Sequence, residues 1–302
     1  MTVGGLPRVP GAAGSVLLGF LLGGSGTLML PLGDAISKHL AGEGYHVLQV
    51  AWGRWAAHLA MMTPLMLWFY GPRRMWPRGP GFQVVRSMML VIASIFYIQA
   101  LRLMPLADAA AVLFFAPLTV VVLSALVLKE RVGLRRWLAV LAGFGGVLLI
   151  VRPGFSGAHD WGALFAGGAT LSFAFYFLLT RKAAGRNPPM VTLWFMALVG
   201  TLAMAPFAAA TWRPPAPQDW LLFAAMGGVM GIGHLLIIQA LDFVEASAMA
   251  PLPYLELVTA TVVGYLWFGD FPDILTWAGC AVVIGAGLFV AYRERAAAAT
   301  PA

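Results

Sequence analysis

Ten apolar segments, each close to the length that crosses a membrane, follow one another along this chain. A helix needs about 20 apolar residues to span the hydrocarbon of a bilayer. Lipid offers no partner for an open backbone N–H or C=O group, so each segment is predicted to be an α-helix. The connections are short, and we expect no inserted soluble domain. The segments occupy residues 14–39, 46–70, 84–104, 106–128, 134–151, 160–180, 190–212, 219–241, 244–268 and 274–292.

The composition supports lipid as the solvent. Only 10% of the residues are charged and 61% are hydrophobic, whereas a soluble globular protein has about 25% charged residues. The apolar runs are continuous and do not alternate, which excludes the pattern of a membrane β-barrel. The net charge is +7, but the basic residues are scattered between the apolar segments. Without a dense basic face, we expect membrane lipid and no nucleic acid as a partner.

The reactive residues are few. Cys280 is the single cysteine, so no disulfide forms within the chain, and we interpret it as a small core residue. The sequence contains no GK[ST] phosphate loop and no HExxH or GxSxG motif. We therefore expect no cofactor and no metal site. The apolar run that begins at Ser15 is expected to be a retained first span and not a removed signal peptide.

Lysine and arginine favour one orientation. If both termini are cytoplasmic, 14 of the 19 basic residues lie on the cytoplasmic side and four on the outer side, with Arg54 inside a span. Cytoplasmic loops of membrane proteins carry such an excess. The sequence therefore predicts an N-in/C-in protein.

The chain contains an internal repeat. Residues 96–151 align with residues 236–291 at a constant offset of 140; for example, IQAL at Ile98–Leu101 recurs at Ile238–Leu241. Trp137 likewise matches Trp277. Five spans separate the copies, and because five is odd the two halves are predicted to cross the membrane in opposite directions. Inverted repeats of this kind are common in secondary transporters, with the binding site at their interface.

Three stretches resemble a known family. The stretch FYIQALRLMPLADAAAVLFFAPLTVVVLSALVLKERVGLRRWLAVLAGFGGVLLIVRPG (96–154) resembles the EamA domain of the drug/metabolite transporter superfamily. In that pattern an apolar helix ends in an acidic residue, here Glu130, and a glycine-rich helix follows. The second copy has Asp270 in place of Glu130. LGDAISKHL (32–40) and VLQVAWGR (47–54) resemble the S-adenosylmethionine carrier-like subgroup.

The resemblance implies an all-α membrane protein of ten transmembrane helices, arranged as two inverted five-helix repeats at residues 14–152 and 160–292. It implies a central cavity formed by spans one to four and six to nine, with spans five and ten at the periphery. Members of the superfamily move amino acids, nucleotide-like metabolites, vitamins and drugs, so the resemblance does not select a substrate.

Glu256 is the leading candidate for a functional residue. It lies in MAPLPYLELV (249–258), where Pro251 and Pro253 remove backbone donors and loosen the helix. We expect it about midway along span nine. An ionisable side chain inside a membrane is a functional-site hypothesis by default, and we predict that Glu256 exchanges protons. The alternative is a buried carboxylate fixed to an arginine for structural reasons.

Two further pairs of polar residues stand four positions apart and therefore share a helix face. Arg54 and His58 lie in span two. Arg54 is expected to pair with Asp34 or Glu256, or to bind a substrate carboxylate, and His58 either titrates or forms a core hydrogen bond. Asp34 and Lys38 lie in span one, where Asp34 either reaches the cavity mouth or pairs with Lys38.

Other polar and aromatic side chains are weaker candidates for the cavity wall. Aromatic rings can stack on a planar substrate or hold a cation, although plain packing is the alternative for each of them. The two glutamines are related by the repeat and suit either gate contacts or helix-end bonds. These candidates are Tyr97, Gln99, Tyr176, Trp194, His234, Gln239 and Tyr254.

Together these features favour a secondary active transporter in the cell (inner) membrane that moves a small polar metabolite by alternating access. The chain has no nucleotide-binding domain, so a proton gradient or exchange is expected to drive it. An exporter of drugs or amino acids has the same pattern. A membrane-embedded enzyme needs paired acid and base residues or a metal cluster, and a channel needs rings of like polar groups; we therefore expect no enzyme. Monomer and homodimer remain open.

Overall fold

The structure is a computed structural model. It describes residues 13–127, 129, 132–152, 157–183, 185–245, 249 and 251–299, without the side chains of residues 13–15, 157–160 and 294–299. Glu130, the acidic residue of the family pattern, lies outside the described residues. The α-helices are α1 (Ala13–Gly42), α2 (Val47–Tyr70), α3 (Pro80–Leu103), α4 (Leu106–Leu113), α5 (Ala116–Val127), α6 (Leu134–Val151), α7 (Gly157–Ala183), α8 (Pro189–Ala210), α9 (Pro217–Ala240), α10 (Leu255–Phe268) and α11 (Ile274–Ala299).

These helices fall at the ten predicted positions, and the described residues contain no β-strand. Helices α4 and α5 together form one span, interrupted at Phe114 and Phe115. Pro117 explains the break, because it has no N–H group for the carbonyl of Leu113. Eight spans are long and apolar enough to cross a membrane by length and composition.

Two spans fall outside that group of eight. Helix α2 has 24 residues but carries Gln49, Arg54 and His58, which lower its mean hydropathy. Helix α10 is apolar but only 14 residues long. The low hydropathy of α2 and the short length of α10 both occur in helices that hold candidate functional residues.

The ninth span differs from the sequence prediction. The predicted helix covers residues 244–268, with Glu256 near its middle, but the regular α-helix of this stretch spans Leu255–Phe268. A 3-10 turn, Leu252–Tyr254, precedes it. Pro251 and Pro253 lack the N–H groups that would continue the helix toward its N-terminus. Glu256 therefore lies in the first turn of a helix that begins after the two prolines, and the prediction of one continuous helix over residues 244–268 was wrong.

The chain divides into two compact units. Unit 1 comprises Met1–Met88 and Ala183–Thr259, and unit 2 comprises Met89–Lys182 and Ala260–Ala302. Unit 1 contains α1, α2, α8 and α9, and unit 2 contains α4 to α6, α11 and nearly all of α7. Each unit thus draws helices from both predicted repeats, so the compact units are not the two repeats.

Glycines bring the helices of unit 1 into close contact. A Cβ atom at Gly26 of α1 would lie 2.5 Å from the carbonyl oxygen of Gly233 in α9. A Cβ atom at Gly227 of α9 would lie 2.3 Å from the side chain of Ala57 in α2. Backbones that approach this closely exclude any larger residue. The sequence predicts close contacts at the spaced pairs Gly19–Gly23 and Gly227–Gly231 and at Gly264. The four paired glycines make them, whereas a Cβ atom at Gly264 would lie 3.5 Å from its nearest atom, an ordinary van der Waals distance.

Unit 2 also contains a pair of helices in close contact through glycines. The resemblance implied that spans five and ten lie at the periphery; these spans, α6 and α11, pack against each other through Gly146 and Gly279. Leu118, Val140 and Val290 belong to the core cluster beside this contact. Cys280 of α11 is buried, as the sequence predicted for a core residue.

Neighbouring glycines of α6 offer a test of this packing. A Cβ atom at Gly146 would lie 2.8 Å from the carbonyl oxygen of Gly279, whereas one at Gly145 has no atom within 4 Å. We expect Gly146→Ala to lower the stability by about 1–3 kcal/mol through overpacking. Gly145→Ala should be neutral or gain up to about 1 kcal/mol through helix propensity. Thermal unfolding in detergent measures both, and equal melting temperatures would contradict the contact.

Candidate functional site

An ion pair joins α1 and α2 in unit 1. Nη1 of Arg54 donates to Oδ1 of Asp34 at 2.9 Å, and Asp34 is only 7% exposed. Of the partners that the sequence left open for Arg54, the structure selects Asp34. Arg54 is always charged and has five N–H donors, and its one hydrogen bond among the described residues is to Asp34. The rest of the guanidinium can therefore bind a second group.

Glu256 adds a third ionisable side chain to the Arg54–Asp34 pair. It interacts electrostatically with both Asp34 and Arg54. Gly23 of α1 lets the chain just before α10 approach, because a Cβ atom at Gly23 would lie 2.9 Å from the side chain of Leu252. The first turn of a helix attracts negative charge, since its free N–H groups point toward that end. We call Asp34, Arg54 and Glu256 the charge cluster; it has two carboxyl groups and one guanidinium.

Two histidines stack beside the charge cluster. The rings of His58 in α2 and His234 in α9 lie 5.7 Å apart between centroids, at 19° to each other. Nδ1 of His234 lies 2.8 Å from the carbonyl oxygen of Met230, so Nδ1 carries the proton and Nε2 is left as an acceptor. Nε2 of the buried His58 has no hydrogen-bond partner among the described residues. The sequence predicted both residues separately but not their contact.

The glycine contacts explain how the histidines meet. Gly227 lies against the backbone of His58, and Gly231 lies near its ring. A larger side chain at either position would separate α2 from α9. Arg54 and His58 project from one face of α2, where Arg54 meets Asp34 of α1 and His58 meets His234 of α9.

The remaining candidates of unit 1 have different surroundings. Trp194 of α8 is buried and donates its indole N–H to Oγ1 of Thr63 at 3.0 Å, which joins α8 to α2. Gln239 is half-buried in the last turn of α9. Tyr254 is half-buried in the 3-10 turn, two residues before Glu256. Lys38 is half-buried on α1, one turn beyond Asp34. Tyr254 has the position closest to the charge cluster along the chain.

Three candidates belong to unit 2. Tyr97 is buried on α3, and Gln99, two residues later, is half-buried. Tyr176 of α7 stacks on Phe173, with ring centroids 5.9 Å apart and an interplanar angle of 10°. The structure thus places Asp34, Arg54, His58, His234 and Glu256 together in unit 1 and these three residues in unit 2.

Sequence reasoning missed one polar site. In unit 2, Arg152 at the end of α6 forms an ion pair with Asp273 at the start of α11, and Asp273 accepts a hydrogen bond of 2.9 Å from the Thr276 backbone N–H. Asp108, in the first turn of α4, lines a cavity of about 420 Å³ beside this pair. The sequence counted Arg152 only toward the orientation. An acidic residue within an apolar segment, Asp108, was the signal that could have found the site.

The Arg152–Asp273 pair gives a pH prediction. The hydrogen bond from Arg152, with that from Thr276, lowers the pKa of Asp273 to about 2. A carboxylate with a depressed folded-state pKa stabilises the fold above its unfolded value near 4 and loses that contribution as pH falls toward 2. The side chain is half exposed, so we expect Asp273→Asn to cost less than about 1 kcal/mol at pH 7. The difference in melting temperature between the wild type and the variant should shrink as pH falls from 4 toward 2; a constant difference would contradict the assignment.

Comparisons with known proteins place this geometry in a family. Residues 17–152 and residues 160–292 each match the EamA-like transporter family. An S-adenosylmethionine uptake transporter of Rickettsia bellii is 28% identical over 266 residues, covering 87% of this chain and 90% of that protein. A riboflavin transporter of Vibrio cholerae is 28% identical over 216 residues, covering 71% of this chain and 72% of that protein. The pseudopaline exporter CntI of Pseudomonas aeruginosa is 27% identical over 215 residues, covering 68% and 73%.

A solved crystal structure agrees at the level of the fold. It superposes with a TM-score of 0.60 at 21% identity, and the match covers 94% of this chain and 99% of that chain. At this identity the likeness shows the fold alone. The two family matches take in most of the 302 residues, so the chain belongs to the EamA-like transporter family of the drug/metabolite transporter superfamily and is a multi-pass protein of the cell (inner) membrane.

Proposed function

We propose that the chain is a secondary active transporter that moves a small polar metabolite across the cell membrane by alternating access. The observation that carries the proposal is the charge cluster in unit 1, where Glu256 interacts with the Arg54–Asp34 pair. Charged groups within membrane helices are costly and mark substrate or ion pathways. A purely structural pair would not need the second carboxyl group.

The chemistry of the cluster suggests a substrate with charges of both signs. Arg54 has donors left to bind a substrate carboxylate in the bidentate manner. Glu256 supplies a second carboxylate that can balance a cationic group. An amino-acid-like metabolite such as S-adenosylmethionine has both, and the names of four Rickettsia relatives support this choice. Nε2 of His58, which has no hydrogen-bond partner within the described part of the chain, is suited to a hydrogen bond with a substrate atom.

Export by the same fold is the second candidate. The relatives include an exporter of pseudopaline as well as uptake proteins. The charge cluster does not determine whether the substrate is imported or exported, because the gradient of the driving ion or exchanged solute sets the direction of net flux. A drug or an amino acid carried outward would use the same charged groups.

The energy source is proposed to be a proton or an exchanged solute. With Arg54 and Asp34 compensating each other, the protonation of Glu256 sets the net charge of the cluster at zero or minus one. Across about 100 mV, one charge is worth roughly 2.3 kcal/mol. That corresponds to a concentration ratio of about fifty, which is ample for accumulating a metabolite.

The proposed topology is N-in/C-in, with inverted repeats at residues 14–152 and 160–292. One feature of the packing supports the repeat. Leu236 lies beside Gly26 in unit 1. Phe96, which precedes Leu236 by the repeat offset of 140, lies beside Gly168 in unit 2.

Cysteines introduced at Glu43 and at Arg186 would test the orientation. Only the cysteine at position 43 should react with an impermeant reagent added outside intact cells.

Transport in vesicles tests the function directly. The purified protein is reconstituted, and uptake of labelled S-adenosylmethionine, amino acids and riboflavin is measured with and without a pH gradient. We expect one of these classes to enter faster than in protein-free vesicles, and to accumulate when the gradient is imposed. No uptake of any solute under any gradient would overturn the proposal.

A further inference from the structure

A cavity lined with arginines lies at the end of unit 1 where α2 ends and α8 begins. Its volume is about 740 Å³. Four arginines line it, namely Arg73, Arg74, Arg78 and Arg186, and its described lining includes no aspartate or glutamate. We call this cavity the arginine pocket. The positive charges of Arg73, Arg78 and Arg186 repel one another in this cavity, and a bound anion would relieve that repulsion.

The loop that carries three of these arginines is fixed to the body of unit 1. Gly71 turns the chain after α2 with a φ of 67°, and a short 3-10 turn, Pro72–Arg74, follows. The side chain of Asn187 accepts from the backbone N–H of Arg78 at 2.6 Å and donates to its carbonyl oxygen at 3.1 Å. Met75 is buried beneath the loop. The arginines therefore stand on an ordered support.

One wall of the arginine pocket is aromatic. Phe69, Tyr70 and Trp76 line it. Trp76 is 61% exposed and contacts Phe195 edge-on, with ring centroids 5.3 Å apart. Membrane spans end near the surface of the bilayer, and tryptophan and tyrosine concentrate at that level in membrane proteins. The pocket is thus basic on one side and apolar on the other.

We propose that the arginine pocket binds the phosphate headgroup of an anionic phospholipid. Guanidinium groups bind phosphate oxygens through paired hydrogen bonds, and basic pockets beside membrane helices bind acidic headgroups. The aromatic wall would contact the glycerol and upper acyl region. A free phosphate compound would satisfy the arginines but leave that wall without an apolar ligand. This binding does not depend on which solute the protein transports.

Quenching of Trp76 fluorescence tests the proposal. The protein is placed in vesicles containing brominated phosphatidylglycerol or brominated phosphatidylcholine, and the signal of a Trp76→Phe variant is subtracted to isolate Trp76. We expect half-quenching at an anionic mole fraction at least about tenfold lower than for the zwitterionic lipid, because each arginine near an acidic surface favours binding. High salt should reduce the preference. Equal quenching by the two lipids would overturn the proposal.

Two charge-matched variants separate a site from general surface charge. Arg73→Gln, Arg78→Gln and Arg186→Gln together should abolish the preference. Lys129→Gln, Arg135→Gln and Arg136→Gln remove the same charge elsewhere and should preserve it. If the second set abolishes the preference equally, the pocket is not the site.

Competition with inorganic phosphate distinguishes a lipid site from a site for soluble anions. If phosphate displaces brominated phosphatidylglycerol at low concentration, the pocket is a site for soluble anions and the lipid proposal fails. The wild type and Trp76→Phe decide the question even if the first triple variant does not fold.

Discussion

Replacing Arg54 with glutamine is expected to abolish transport and to lower the stability by about 3–5 kcal/mol. The change removes the partner of Asp34, which would then keep an uncompensated charge in a nearly dry position beside the carboxyl group of Glu256. Breaking one side of a buried ion pair leaves the full desolvation penalty of the other side. Thermal unfolding and vesicle uptake measure the two effects.

A double variant separates stability from transport. Asp34→Asn combined with Arg54→Gln removes both charges, and we expect it to recover most of the lost stability, since a neutral amide pair keeps a hydrogen bond. Uptake should stay abolished if Arg54 binds the substrate. Recovery of uptake together with stability would mean that the pair is only structural. Failure of the double variant to regain stability would contradict the observed pairing.

Replacing Glu256 with glutamine is expected to remove gradient-driven accumulation while the protein still folds. Glutamine keeps the size and one carbonyl oxygen but cannot exchange a proton. The accumulation ratio at about 100 mV should fall from as much as about fiftyfold to about one. Exchange of internal for external substrate, which needs no net proton movement, should persist, at a higher half-saturating substrate concentration because glutamine cannot pair with the cationic group of the substrate. Accumulation and exchange are measured on the same vesicles.

Glu43→Gln is the matched control for this experiment. Glu43 is an exposed acidic residue between α1 and α2, so its replacement removes one carboxylate without touching the charge cluster. We expect full accumulation in this variant. If Glu256→Gln accumulates substrate as the wild type does, Glu256 does not carry the coupling proton, and the role passes to another group such as His58.

The positions of the helices followed from local properties of the chain. Apolar length and the absence of backbone partners in lipid act on each segment separately, so ten helical segments were predictable without any tertiary contact. The same reasoning misplaced the start of α10, because it weighed hydrophobicity and gave too little weight to Pro251 and Pro253. Their missing donors end the regular helix there and place Glu256 in the first turn of α10.

The partners of the polar residues did not follow from the sequence. The sequence left Asp34, Glu256 and a substrate open as partners of Arg54, and distance selected Asp34. The stacking of His58 on His234 depends on the close approach of α2 and α9 at Gly227, although 176 positions separate the two histidines. The pairing of Arg152 with Asp273 likewise joins residues 121 positions apart.

The sequence by itself determined that this chain is a helical membrane protein and which few ionisable side chains its spans retain, because insertion into lipid is decided segment by segment. Only the tertiary structure decided which of those side chains meet. Whether two charges lie at 2.9 Å or far apart depends on which helices pack together, and glycine contacts between segments distant in the chain settle that packing.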